Sequence, residues 1–211
     1  MALGLAVALI IVVLAVAQLV LPGIAAQQLR DKLSRSGRVL GVKVDAFPAI
    51  ELLWHQADRV VIRMASYRAT PGHLGSTLAG ASDTGSLYAS ARRFQTGLLT
   101  LRNATLTKHG NELVGSAAIA NADLRAAVPA IQGVAPVASG DGKLTLRGTA
   151  FGVTADATLM AVNGKLVVQP DVPILNFFTL TVFSNPYLHV QGVAARTLRG
   201  GFELSVRAQL R

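Results

Sequence analysis

The sequence predicts an α+β chain: an N-terminal membrane helix, then an amphipathic helix wrapped by a long, curved antiparallel β-sheet. Three observations predict it. Met1 to Leu21 contain no charged side chain, and every Lys, Arg, Asp and Glu follows them. Residues 24–34 then repeat apolar positions at helical spacing. Most of the remaining chain alternates apolar and polar residues at period two, punctuated by Gly, Asn and Asp. Helix first and strand meander after is the pattern of an α+β domain.

An apolar run of about 20 residues matches the hydrocarbon thickness of a bilayer. Residues 1–21 are therefore expected to be a transmembrane anchor or a signal segment, and residues 22–211 a single domain. The run lacks the basic start of a secretory signal and is long for one, which favours an uncleaved anchor. Ala15-Val16-Ala17 nevertheless offers a small-residue cleavage pattern. Arg30, Lys32, Arg35 and Arg38 follow the run, and by the positive-inside rule they would hold that side in the cytoplasm. Either the rule is overridden here, or the true start lies upstream and carries a basic head.

Pro22-Gly23 is expected to end or kink the span. Ile24 to Ser34 reads as the amphipathic helix, with Ile24, Ala25, Gln28, Leu29, Lys32 and Leu33 following the helical spacing and Arg30 and Asp31 on the other side. Gly37 is the expected stop. Val42, Val44 and Ala46 then alternate with Lys43 and Asp45 as a half-buried strand, which Phe47-Pro48 breaks. Ile50 to Trp54 is a short apolar insert. Val60, Ile62 and Met64 mark a second strand. Pro71 to Ser90 is rich in Gly, Ser and Thr and reads as a short helix and loop.

Leu99 to Leu106 is the next strand region, His109-Gly110-Asn111 a turn, and Val114 to Ala120 a returning strand. Asn121 and Asp123 can cap a short helix over Leu124 to Ile131. Gly140-Asp141-Gly142 opens a hairpin series through Leu144, Leu146 and the alternation from Val153 to Leu159. Asn163-Gly164 is the strongest hairpin signal, a type I′ turn. Asp171 to Pro186 crowds apolar residues without Lys or Arg. Leu188 to Val193 and Phe202 to Leu210 close the chain. About eight strands are expected in all.

Composition narrows the function. The 211 residues carry 20 basic and 11 acidic side chains, a formal charge of +9, and no cysteine. Disulfides and thiolate metal sites are excluded. The positive balance suits anionic partners such as lipid headgroups or envelope polymers. Aromatic residues make up only 5% of the chain, so stacking platforms for single-stranded nucleic acid are scarce. Small and aliphatic residues, by contrast, build sheets and smooth apolar cavities.

No catalytic arrangement is legible. There is no G-x-S-x-G, no H-E-x-x-H, no D-x-D metal loop and no phosphate-cradling glycine motif. His55, His73, His109 and His189 are scattered. The expectation is a binder rather than an enzyme, with no cofactor and no metal.

The stretch Val42 to Met64 resembles the start of the LmeA-like phospholipid-binding family of actinobacterial cell-envelope proteins. The likeness rests on a strand leading into Phe47-Pro48, an apolar insert at Leu52-Leu53, and a strand headed by Asp58-Arg59-Val60. Ala122-Asp123-Leu124 before a proline, and a Gly-Val pair ahead of a late strand, are similar too. The resemblance implies a tubular lipid-binding fold, a sheet wrapped around a helix with acyl chains in an apolar groove, on the extracytoplasmic (periplasmic) side of the membrane. It implies a role in envelope lipid transport or maintenance.

On that footing Leu52, Leu53, Trp54, Phe177, Phe178 and Phe183 are the candidate lipid contacts. Arg59, Arg92 and Arg93 are the candidate headgroup contacts. The partner is a phospholipid or other acyl lipid and the membrane, not nucleic acid. The alternative is a membrane-anchored envelope scaffold with a filled β core. A hydrolase acting on envelope glycans or lipids has no residues to support it.

Overall fold

The computed structural model describes residues 18, 20–47, 52, 56–69, 83–127, 129–150, 152–171 and 179–210. Nearly all of the expected membrane helix lies outside them. Among the described residues no helix is long and apolar enough to cross a membrane.

The fold is α+β and dominated by sheet. Helix α1 spans residues 20–34. It runs through Pro22 and Gly23, where a break was expected. Ala25, Ala26, Leu29 and Leu33 are its half-buried stripe, as the period requires. The Leu33 carbonyl accepts from Ser36 N at 3.0 Å, closing the turn into the first strand.

Strands β1 (Gly37–Asp45), β2 (Ala57–Ala69), β3 (Thr84–Thr96), β4 (Leu99–His109) and β5 (Glu112–Ala120) follow. Helix α2 (Asn121–Ala127) separates them from β6 (Ile131–Gly140), β7 (Lys143–Ala150), β8 (Val153–Val162), β9 (Lys165–Asp171), β10 (Leu180–Phe183), β11 (Leu188–Leu198) and β12 (Gly201–Leu210). These twelve strands among the described residues form two sheets rather than one. The larger has the order β1-β2-β3-β4-β5-β12-β11 and the smaller β10-β9-β8-β7-β6.

The remaining departures from expectation have local causes. The large sheet is not wholly antiparallel, because β2 and β3 pair in parallel, Val60 against Leu87 and Met64 against Ala91. The end of the expected helix and loop is instead β3, hydrogen-bonded on both sides. Helix α2 stops at Ala127 instead of Ile131. Pro129 biases the residue before it away from helical dihedrals. Strand β6 (Ile131–Gly140) was not expected, and it contains Gly133 and Pro136. It is an edge strand of the small sheet, the place where a sheet tolerates proline.

Two coverings lie on the inner face of the large sheet. Helix α1 packs Ala25, Ala26 and Leu29 against Val44, Val60 and Leu87. At the far side, Leu144, Leu146, Leu159 and Leu166 of the small sheet pack against Val193, Ala195, Leu204 and Val206. Between them, among the described residues, no element covers the inner face of β2 to β5.

Candidate lipid groove

An apolar groove of about 370 Å³ runs over that uncovered part of the sheet. Its lining comes from β2 to β5 and β12, with Leu33 of α1 reaching in from the helix side. Strand alternation places the lining residues. In each strand the odd or even set that faces inward is the apolar set.

The room in the groove comes from small side chains. Ala89 and Ala91 in β3, Ala104 in β4, and Gly115 and Ala117 in β5 form its floor. Larger residues stand at its two ends. Ile62, Leu87 and Leu106 lie toward the end covered by α1. Tyr67, Phe94 and Leu101 lie at the other. The Tyr67 and Phe94 rings stack with centroids 5.6 Å apart and an interplanar angle of 28°.

This wall of rings depends on a shared irregularity. The inward positions step by three residues, from Met64 to Tyr67, Ala91 to Phe94 and Leu101 to Ala104. Register shifts mark an extra residue, a bulge, where β2 meets β1 and where β4 meets β5. The three steps stand side by side, because Met64 pairs with Ala91 and Ala91 with Ala104. On β4 the extra residue is Asn103, with φ +50°, and the β4–β5 register shifts between Arg102 and Thr105. Asn tolerates that left-handed conformation better than a branched residue does. These steps keep aromatic rings on the inner face where strict alternation would have turned them out.

Among the described residues no acidic, basic or histidine side chain lines the groove. The nearest inward-facing charge on β4 is Lys108, two residues beyond Leu106. It is 1% exposed, and its Nζ donates to the Thr84 carbonyl. Burial pushes its pKa down, partly offset by attraction to Asp83. Among the described residues no three His, Asp or Glu side chains gather where they could hold a metal ion.

The expected lipid contacts are not what lines this groove. Leu52 packs against the Val44, Val60 and Leu87 cluster beside α1. Phe183 is half-buried between the Leu113 and Leu188 cluster and the Leu144 and Leu166 cluster. Leu53, Trp54, Phe177 and Phe178 lie outside the described residues. The expected headgroup arginines do not line it either. Arg59 pairs in register with Asp45 and alternates with the inward Val60 and Ile62, so it leaves from the outer face. Arg93 pairs in register with Ser66 and Arg102 and also leaves from the outer face. Arg92 is exposed on β3.

What sequence reading passed over is the floor. Its signal was alternation of small residues, Ala89 and Ala91 in one strand and Gly115 and Ala117 in another. Attention to large apolar residues selects core, whereas a cavity needs inward positions too small to fill it.

Comparison of the chain with protein-family models, with characterised proteins and with solved structures finds no match.

Proposed function

We propose that this chain is an extracytoplasmic lipid-binding protein that holds acyl chains in the groove over β2 to β5. Residues 1–21 station the domain at the membrane, and its role is envelope lipid transport or maintenance, without catalysis. The observation that carries this reading is the groove itself: an uncharged, aliphatic and aromatic trough with a floor of Ala and Gly. Its volume of about 370 Å³ falls in the range of about 300–1,000 Å³ usual for small-molecule sites.

The energetics suit a hydrocarbon ligand. Each buried methylene contributes about 0.8 kcal/mol, so about ten of them supply about 8 kcal/mol before the cost of ordering the chain. A polar ligand would find no side-chain donors or acceptors to replace its water, apart from the Tyr67 hydroxyl and the Ser and Thr hydroxyls flanking the floor. The resemblance of residues 42–64 to the LmeA-like family, and the helix laid on a sheet as in tubular lipid-binding proteins, support the same reading.

Organic extraction and native mass spectrometry of the full chain, purified in a mild detergent, test it. The expected result is a co-purifying acyl lipid at a stoichiometry near one, exchangeable with a fluorescent fatty acid. A chain that carries no lipid and takes up no fatty acid would instead be the scaffold with a filled β core.

A further inference from the structure

Behind the groove, on the outer face of the same sheet, lies a second cavity of about 340 Å³. Arg35, Arg68 and Arg93 line it together with Ser66 and Gln95. The fold builds this convergence deliberately. Gly37 presses so close to β2 that a Cβ there would stand 2.0 Å from the Ser66 carbonyl oxygen. Only glycine permits that approach. The Arg68 backbone N–H donates to the Ser36 carbonyl at 2.8 Å, which brings the Arg35 turn against Arg68. Ser66 pairs with Arg93 and Arg68 with Gln95 across the β2–β3 register.

The charges there are unbalanced. No carboxylate lines the cavity. Arg68 Nε donates to Gln95 Oε1 at 3.3 Å, which steadies the guanidinium and leaves its two terminal nitrogens. Asp123, which also feels the charge of Arg93, is engaged through both oxygens by Arg102, at 2.7 and 3.0 Å. Arg35 and Arg93 make no ion pair among the described residues. Three guanidinium groups around one cavity repel one another until an anion with several oxygens sits between them.

The surroundings indicate where that anion comes from. The β3–β4 turn at the same end of the sheet carries Leu98, which is 80% exposed. An apolar tip beside a cluster of arginines matches the layering of a bilayer surface, phosphates above acyl chains.

We infer that the cavity bounded by Arg35, Arg68 and Arg93 binds the phosphate of an anionic lipid headgroup at a membrane surface. This site adjoins the groove, with Tyr67 in the lining of both, and goes beyond the acyl-binding reading.

Isothermal titration of the full chain carrying Gly115→Leu, whose filled groove takes up no acyl chain, tests it in dodecyl maltoside micelles with three probes: dihexanoyl-phosphatidylglycerol, inorganic phosphate and dihexanoylglycerol. The phospholipid is expected to bind, and the phosphate-free dihexanoylglycerol to bind at least about tenfold more weakly, since each charge-assisted hydrogen bond is worth about 1.5–3 kcal/mol. Arg68→Gln combined with Arg93→Gln is expected to lose at least about tenfold in phospholipid affinity on the same grounds. Gly115→Leu fills the groove, so the phospholipid binding it retains belongs to the arginine cavity. That background separates this site from the acyl site. Equal phospholipid binding by Gly115→Leu with and without the two arginine changes overturns the inference, as does the absence of phospholipid binding in Gly115→Leu. Inorganic phosphate binding as tightly as the phospholipid overturns the lipid source and leaves a free-phosphate site.

Discussion

The backbone N–H of Val193 donates to the carbonyl of Gly142 at 3.0 Å, across the junction of the two sheets. Val193 lies on β11, the edge of the large sheet, and Gly142 in the β6–β7 turn of the small one. A second turn makes the same kind of contact, since Val190 N donates to the Gly164 carbonyl at 3.0 Å. Both turns have two consecutive residues at positive φ, Asp141 (+51°) with Gly142 (+72°), and Asn163 (+50°) with Gly164 (+76°). That is the type I′ geometry of tight hairpins. An exposed edge strand offers unpaired N–H groups to other chains. Here two hairpin tips, with the Ser139 hydroxyl accepting from Ala195 N at 3.1 Å, occupy part of that edge.

Gly164 is the more exacting of the two tips. A Cβ there would stand 2.5 Å from His189 Nδ1, on a residue already at φ +76°. Gly164→Ala is expected to cost about 1–3 kcal/mol, from backbone strain and the clash together. His189→Ala in the same chain should recover the clash and not the strain. Urea unfolding of the two single variants and the double variant measures the split. An Ala at 164 that costs nothing in either background would contradict this docking.

How much of this was legible beforehand depends on what each element rests on. The I′ turn at Asn163-Gly164 was readable because its chemistry is local. So were β1, the first half of β2, β8 and β12, where apolar and polar residues alternate. Strand β3 was not, because Ala, Ser and Gly give no period. Its strand character comes from partners on both sides, residues far off in sequence. The groove was hidden for the same reason, and the aligned three-residue steps at Met64, Ala91 and Leu101 added a change of phase that alternation cannot anticipate. The basic cavity was half visible: Arg93 was singled out, but Arg35 and Arg68 join it only through the Ser36 and Gly37 approach.

The groove floor can be filled without disturbing the sheet. A Cβ at Gly115 would meet Leu106 Cδ1 and the Thr105 carbonyl at 3.8 Å, ordinary contact distances. Gly115→Leu is therefore expected to fold, and to gain slightly in strand propensity. Its larger side chain occupies the groove, and uptake of a fluorescent fatty acid should fall about tenfold or more, the equivalent of two buried methylenes. Fluorescence titration against the wild type reads this directly. Unchanged uptake in a folded Gly115→Leu would place the acyl chain elsewhere.

Lys108 gives the stability a dependence on alkaline pH. Burial lowers its folded pKa below the unfolded value of about 10.4. Between those two values the unfolded chain binds more protons, so stability rises with pH through that window. Lys108→Met removes the buried charge and also the donor to Thr84. At pH 7 these effects oppose each other. At pH 10 mainly the loss of the donor remains, worth about 1–3 kcal/mol. The variant is therefore expected to fall further behind the wild type as pH rises from 7 to 10. Urea titrations across that range should show a growing gap; a constant gap would mean the amino group is not deprotonating in the folded chain.

The Arg102 and Asp123 pair acts at the opposite end of the pH scale. The hydrogen bond from Arg102 is the largest influence holding the Asp123 carboxyl below its usual value, with the charges of Arg102 and Arg93 adding to it and desolvation opposing it. A depressed folded pKa gives stability that is full above the unfolded value of about 3.9 and is lost as pH falls through the folded one. The pair joins α2 to β4, and α2 also holds β6, where the Val134 N–H donates to Asn121 Oδ1 at 3.4 Å. Protonating Asp123 should therefore loosen α2 first, ahead of the sheets. Asp123→Asn is expected to flatten the acid limb of the stability curve and leave neutral stability only slightly lower, as for an exposed ion pair. Arg93→Gln should shift the Asp123 titration upward by a smaller amount than Arg102→Gln does. Carboxyl carbon NMR titration of the three chains orders those shifts, and an Arg93 effect equal to or larger than that of Arg102 would refute the assignment of the hydrogen bond as the main cause.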